Sequence, residues 1–129
     1  MIEDDHDLMR LLVHILAGAG FTVVQAYGGE DALRKVRMQP PDLVVTDLAM
    51  PLMSGVEVIE RIKRSPDSAS IPCIAVTAYM WDQIASAASE AGCNGFVAKP
   101  FNGPKLLAEV TKFVPLPGKM RSSDTKRAG

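Results

Sequence analysis

Apolar residues recur along the chain in two rhythms, short unbroken runs and stripes at helical spacing, and the two alternate. Leu8, Leu11, Leu12, Ile15 and Ala19 follow helical spacing, with Asp5 or Asp7 to cap the start and Gly20 to end it. Residues 21–26 predict a strand. Residues 30–38 predict a helix with Leu33 and Val36 inward, stopped by Pro40 and Pro41. Residues 43–46 form a short buried strand, and Val56, Ile59 and Ile62 give one apolar face to a third helix ending before Pro66. A strand at 73–76, an Ala- and Ser-rich helix at 81–91 and a strand at 96–98 follow. Leu106, Leu107, Val110 and Phe113 mark the last helix.

Strands that are apolar throughout, alternating with helices, belong to a parallel sheet covered on both faces. Right-handed crossovers put every strand's carboxyl end on one edge, where open α/β folds bind ligands. The residues that follow each run therefore matter. Ile2 leads to Glu3 and Asp4, residues 43–46 to Asp47, residues 74–76 to Thr77, and residues 96–98 to Lys99. Three carboxylates, a hydroxyl and an ammonium are thus aimed at one place.

Helix capping explains Asp5 and Asp7, but not Asp47, because Leu48-Ala49-Met50-Pro51 starts no helix. It explains Lys99 still less, since an ammonium accepts no hydrogen bond and Pro100 follows. Like charges about 4 Å apart repel by ~4 kcal/mol at an effective dielectric of 20. A divalent cation relieves that repulsion, and an all-oxygen site suits Mg²⁺. Mg²⁺, a hydroxyl and a lysine together suit the oxygens of a phosphoryl group.

Glu3-Asp4, Asp47-Leu48-Ala49-Met50-Pro51 with Gly55, Thr77-Ala78 and Lys99-Pro100-Phe101 resemble the receiver domain of two-component response regulators, of the stand-alone, chemotaxis-regulator-like kind. The resemblance runs from Glu3 to about Val114. It implies a flavodoxin-like, doubly wound α/β fold: a five-stranded parallel sheet in order 2-1-3-4-5 with five helices. Only Met1 and Ile2 precede Glu3, so the first strand reads as truncated.

The resemblance also implies roles. Asp47 is the expected phosphoacceptor, taking its phosphoryl group from a histidine kinase or a histidine phosphotransfer protein. Asp4, Asp47 and the Ala49 backbone carbonyl are the expected ligands of Mg²⁺ (or Mn²⁺), with Glu3 acting through water. Lys99 and Thr77 would hold phosphoryl oxygens, and Thr77 with Phe96 would form the switch. The Lys99–Pro100 bond is expected to be cis. The kinase-facing set is His6, Leu8, Met9, Arg10, Phe101, Asn102 and Gly103. The fourth helix, fifth strand and fifth helix would meet a downstream protein. Such a domain catalyses only its own phosphorylation and dephosphorylation.

The 129 residues carry 14 Lys plus Arg against 15 Asp plus Glu, a formal charge of −1, which argues against a basic nucleic-acid binder. Residues 1–114 hold 14 of the acids and 10 of the bases, and form the expected receiver domain. Residues 115–129 read as a polar, basic tail, marked off by Pro115, Pro117 and Gly118. No apolar run approaches the roughly 18 residues of a membrane span, and the acidic start is unlike a signal peptide, so a cytoplasmic protein is expected. Cys73 and Cys93 lack metal-ligand spacing and read as free thiols. His6 and His14 read as surface or packing residues. Trp81 suits either a partner surface or a core cover.

Two other functions compete with this reading. An aspartate-nucleophile phosphatase of haloacid dehalogenase type also carries an aspartate at a strand end, but needs a second acid where Ala49 stands. A phosphorylation-independent interaction module would not need the acidic set or Lys99.

Overall fold

In the computed structural model the described residues are 6–48, 53–77 and 83–116. Among them, five helices and three strands alternate: α1 (His6–Gly18), α2 (Gly29–Met38), β1 (Val44–Asp47), α3 (Gly55–Arg64), β2 (Cys73–Thr77), α4 (Gln83–Ala91), β3 (Gly95–Ala98) and α5 (Gly103–Val110). The strands form one parallel sheet in the order β1-β2-β3, with Val44 opposite Cys73 and Ile74 opposite Gly95. Every residue of β1 and β2 is buried, as expected of strands covered on both faces.

Two cores follow from the pleat. Val44, Cys73 and Ala75 point to the face covered by α2, α3 and α4, where Leu33, Val36, Ile59, Ile62 and Ala88 pack. Val45, Ile74, Val76 and Val97 point to the face covered by α1 and α5, through Leu12, Leu16, Leu106 and Val110. The first and last helices therefore share one face and the three between them the other, as double winding requires.

Local chemistry fixes the helix ends. The Ser54 hydroxyl accepts from the Glu57 N–H at 3.3 Å and starts α3. Asn102 does the same for α5, accepting from the Lys105 N–H at 2.9 Å. After α1, the N–H groups of Gly20 and Phe21 donate to the carbonyls of Ala17 and Leu16, a closure that requires the positive φ of Gly20, 102°. Gly92, at φ 108°, ends α4 through the same pair of bonds to Ser89 and Ala88.

Three expectations are corrected. The inward stripe of α1 is Met9, Leu12 and Leu16; Leu11, which belongs to the helical spacing read from the sequence, is 44% exposed. Residues 21–26 make no ladder: only Ala26 forms a bridge, although Phe21 and Ala26 are buried. A cleft lined by both residues 21–24 and Leu43, Val44 and Val45 lies between this segment and β1, and the first strand, the neighbour expected for the segment, lies outside the described residues. The last helix runs Gly103–Val110, so Phe113, expected on it, sits in the turn beyond, half-buried against the second core. The first strand expected before Glu3 lies outside the described residues, as do Trp81 and the tail from Pro117. No helix among the described residues is long and apolar enough to cross a membrane.

Candidate functional site

Asp47 closes β1, Thr77 closes β2, and Lys99 follows β3 directly. The register places Asp47 opposite Val76 and Thr77 opposite Ala98, so the three residues share the carboxyl edge of the sheet. The Lys99 N–H donates to the Thr77 carbonyl at 2.9 Å and extends the β2–β3 ladder past its last pair. From there the Lys99 side chain reaches back across the edge, and its Nζ lies 3.0 Å from Asp47 Oδ2. The Lys99–Pro100 bond is cis, as expected.

This ion pair is sheltered. The Asp47 side chain is 8% exposed and that of Lys99 is 28% exposed. A carboxylate this deep needs a cation or several donors to offset its lost hydration, and a charge-assisted hydrogen bond supplies more than a neutral one. Thr77 is buried on the adjoining strand, at 2% exposure.

The backbone of Asp47 is held from two sides. The Thr46 hydroxyl donates to the Asp47 carbonyl at 2.8 Å, and the Gly55 N–H donates to the Leu48 carbonyl at 2.9 Å. A Cβ on Gly55 would lie 2.0 Å from the Asp47 carbonyl oxygen, so only glycine fits there. The start of α3 is thereby pressed against the residue that carries the carboxylate. The hold by Thr46 and the cap by Ser54 were not among the sequence-based expectations, although Ser54 with Glu57 three residues on is a legible cap signature.

The other expected site residues divide. Glu3, Asp4 and Ala49 lie outside the described residues. Phe96 is half-buried on β3 and packs against the first core. In the kinase-facing set, Met9 is 1% exposed and belongs to the core, which removes it from any contact surface. Leu8 is half-buried against the second core, while Arg10 is exposed and pairs with Asp7 at 3.0 Å. Phe101 is half-buried, Asn102 is the exposed cap of α5, and Gly103 is its first residue. His6 begins α1, and its side chain lies outside the description.

Asp47 supplies a hard oxygen donor of the kind Mg²⁺ takes. Among the described residues no group of three or more His, Cys, Asp or Glu side chains could hold a metal by itself, so Asp47 fits a metal site only together with acids outside them. The two cysteines are free and away from this edge. Burial pushes the Cys73 thiol up to about 12, and burial also raises Cys93.

A doubly wound parallel sheet with an acid, a hydroxyl and a lysine at one carboxyl edge defines a small α/β domain with a charged site at that edge. Residues 1–111 match the response regulator receiver domain, and the chain belongs to that family. It is 29% identical over 115 residues to the polar-differentiation response regulator DivK of Brucella ovis, covering 88% of this chain and 94% of that protein. The chemotaxis response regulator CheY4 of Vibrio cholerae superimposes with a TM-score of 0.83 at 25% identity, over 88% of this chain and 94% of that one. The receiver domain of the sensor histidine kinase PA1611 of Pseudomonas aeruginosa, solved with magnesium coordinated in its active-site cleft, shares the fold. Its TM-score is 0.82 at 24% identity, over 87% of this chain and 92% of that one.

Proposed function

We propose that Asp47 accepts a phosphoryl group from the phosphohistidine of a histidine kinase or a histidine phosphotransfer protein. An Asp47 carboxylate oxygen attacks phosphorus, the P–N bond to the donor histidine breaks, and an aspartyl phosphate forms. The observation that carries this reading is the sheltered Lys99–Asp47 pair at 3.0 Å beside Thr77. Lys99 stands where it can neutralise a phosphoryl oxygen, and the Thr77 hydroxyl can donate to another. Asp4, Asp47 and the Ala49 carbonyl would hold Mg²⁺ or Mn²⁺, with Glu3 through water. When bound, the ion supplies neutralisation of charge on the transferring group. The magnesium site of the PA1611 receiver domain supports this assignment.

On this reading the chain catalyses only its own phosphorylation and dephosphorylation, in the cytoplasm. Its three described strands are the last three of a five-stranded sheet in order 2-1-3-4-5. New charge at Asp47 draws Thr77 toward the phosphoryl group and lets Phe96 move, which alters the α4–β3–α5 face offered to a downstream protein. Acetyl phosphate with Mg²⁺ should add one phosphoryl group by intact mass. Asp47→Asn should abolish that gain, and stoichiometric labelling of the variant would overturn the assignment.

A further inference from the structure

Every residue of β1 is buried, yet the position before its closing aspartate holds a hydroxyl, that of Thr46. Thr46 is 0% exposed. Valine has nearly the same shape and would prolong the apolar run of Val44 and Val45. A buried hydroxyl, by contrast, is tolerated where it finds a hydrogen-bonding partner. This one donates at 2.8 Å to the Asp47 carbonyl, on the peptide that follows the candidate phosphoacceptor. Ser68 shows the more ordinary use of a buried hydroxyl: it donates to the Ile62 carbonyl at 2.7 Å and ties the loop after α3 to that helix.

The Thr46 bond acts on the carboxylate through geometry. Side chains alternate along a strand, so Thr46 shares the face of Val44, on the side of α3, and the Asp47 carboxylate leaves from the other face. There Lys99 Nζ lies 3.0 Å from it. Asp47 is thus gripped twice, at its carbonyl by the Thr46 hydroxyl and at its carboxylate by Lys99. Gly55 closes on the same carbonyl oxygen, where a Cβ would lie 2.0 Å away. Gly55 is a steric stop, whereas the hydroxyl is a tether that fixes the peptide plane and with it the Asp47 Cα. A reacting group must be held within about 0.5 Å of its working position, and hydrogen bonds behind it supply that hold.

We propose that Thr46 is a positioning residue for Asp47: its hydroxyl tethers the Asp47 peptide and so sets the direction in which the carboxylate meets Mg²⁺ and an incoming phosphoryl group. Fully buried and on the opposite face of the strand, Thr46 acts through Asp47 and not by contact. The inference rests on the proposed function for both the ion and the phosphoryl group, and the test reads the two separately.

Thr46→Val keeps the shape and deletes the donor. At saturating Mg²⁺ it should lower the limiting rate of labelling by acetyl phosphate about tenfold and leave the half-saturating acetyl phosphate concentration unchanged. Mg²⁺ alone, titrated by amide shifts, should bind about tenfold more weakly. Thr46→Ser keeps the donor and loses a methyl, so it should restore both values while lowering the urea midpoint. A merely structural role gives the reverse order, because valine fills this position and serine leaves a gap. A natural limiting rate in Thr46→Val would overturn the proposal, as would Thr46→Ser failing alongside it. If Thr46→Val does not fold, Thr46→Ser against Thr46→Ala, which differ by the hydroxyl alone, makes the same comparison. Mg²⁺ affinities in the expected order with no labelling of the natural chain would keep the tether and sink the phosphoacceptor reading. Equal Mg²⁺ affinities in that case would sink both.

Discussion

Gly55 sits so close to Asp47 that the first carbon of any side chain would lie 2.0 Å from the Asp47 carbonyl oxygen. The contact joins the start of α3 to the end of β1, eight positions earlier, and sets the height at which the carboxylate leaves the sheet. Gly55→Ala should therefore push α3 away from β1, costing about 1–3 kcal/mol, the usual penalty of overpacking. The urea midpoint measures the loss, and acetyl phosphate labelling of Asp47 should slow in parallel. Unchanged values of both would mean that α3 gives way freely.

Lys99→Met keeps the apolar stem and removes the ammonium 3.0 Å from Asp47. The sheltered carboxylate then loses its cation, at a cost of about 1–2 kcal/mol once the partial exposure of Lys99 is allowed for. Phosphoryl transfer should fall steeply. Mg²⁺ affinity should move the opposite way, rising about tenfold, because one positive charge has left the site. Calorimetric titration separates the two effects, and weaker Mg²⁺ binding would contradict the charge argument.

Both thiols are held in their neutral form by burial, Cys73 up to about 12 against the opposing pull of the Lys63 ammonium. In the unfolded chain a thiol ionises near ~8.5. A raised folded value contributes stability that is full below the unfolded value and drains away as pH rises through the folded one. Between roughly pH 8.5 and 12 the Cys73 thiol should thus lower stability by at most ~1.4 kcal/mol per pH unit. Urea midpoints across that window should fall more steeply for the natural chain than for Cys73→Ala. Equal slopes would show that Cys73 ionises freely.

Arg10 is exposed, and its pair with Asp7 is exposed on both sides, an arrangement that adds little to stability. Arg10→Glu should leave the urea midpoint within about 0.5 kcal/mol and spare labelling by acetyl phosphate. Transfer from a phosphohistidine protein should slow, because a reversed rim charge acts on encounter. Normal transfer would take Arg10 off the donor-facing surface.

The site was legible because strand ends are legible. Unbroken apolar runs at residues 43–46, 73–76 and 96–98 announced buried strands, and each hands over abruptly to Asp47, Thr77 or Lys99. The rotation of α1 was not. Apolar residues at 8, 9, 11, 12, 15 and 16 make a stripe too broad for spacing to choose its centre, and tertiary packing chose Met9, Leu12 and Leu16. Residues 21–26 have strand composition, but composition fills only the two faces. A ladder needs a neighbour at hydrogen-bonding distance, and the first strand, the one expected for this segment, lies outside the described residues. The demand for glycine at 55 is a through-space fact about α3 and β1, invisible without the fold.

Lys99 and Asp47 are 52 positions apart and meet only across the two finished ladders. No local fragment brings them together, and chains whose contacts are this distant in sequence organise late. A ribosome adding about 5–20 residues per second leaves the emerging chain without its lysine for several seconds after the aspartate has appeared. On the proposed function, a phosphodonor would meet a lone carboxylate during that interval. Acceptance of the signal would then double as a certificate of assembly: the chain could be addressed only once β1, β2 and β3 have joined.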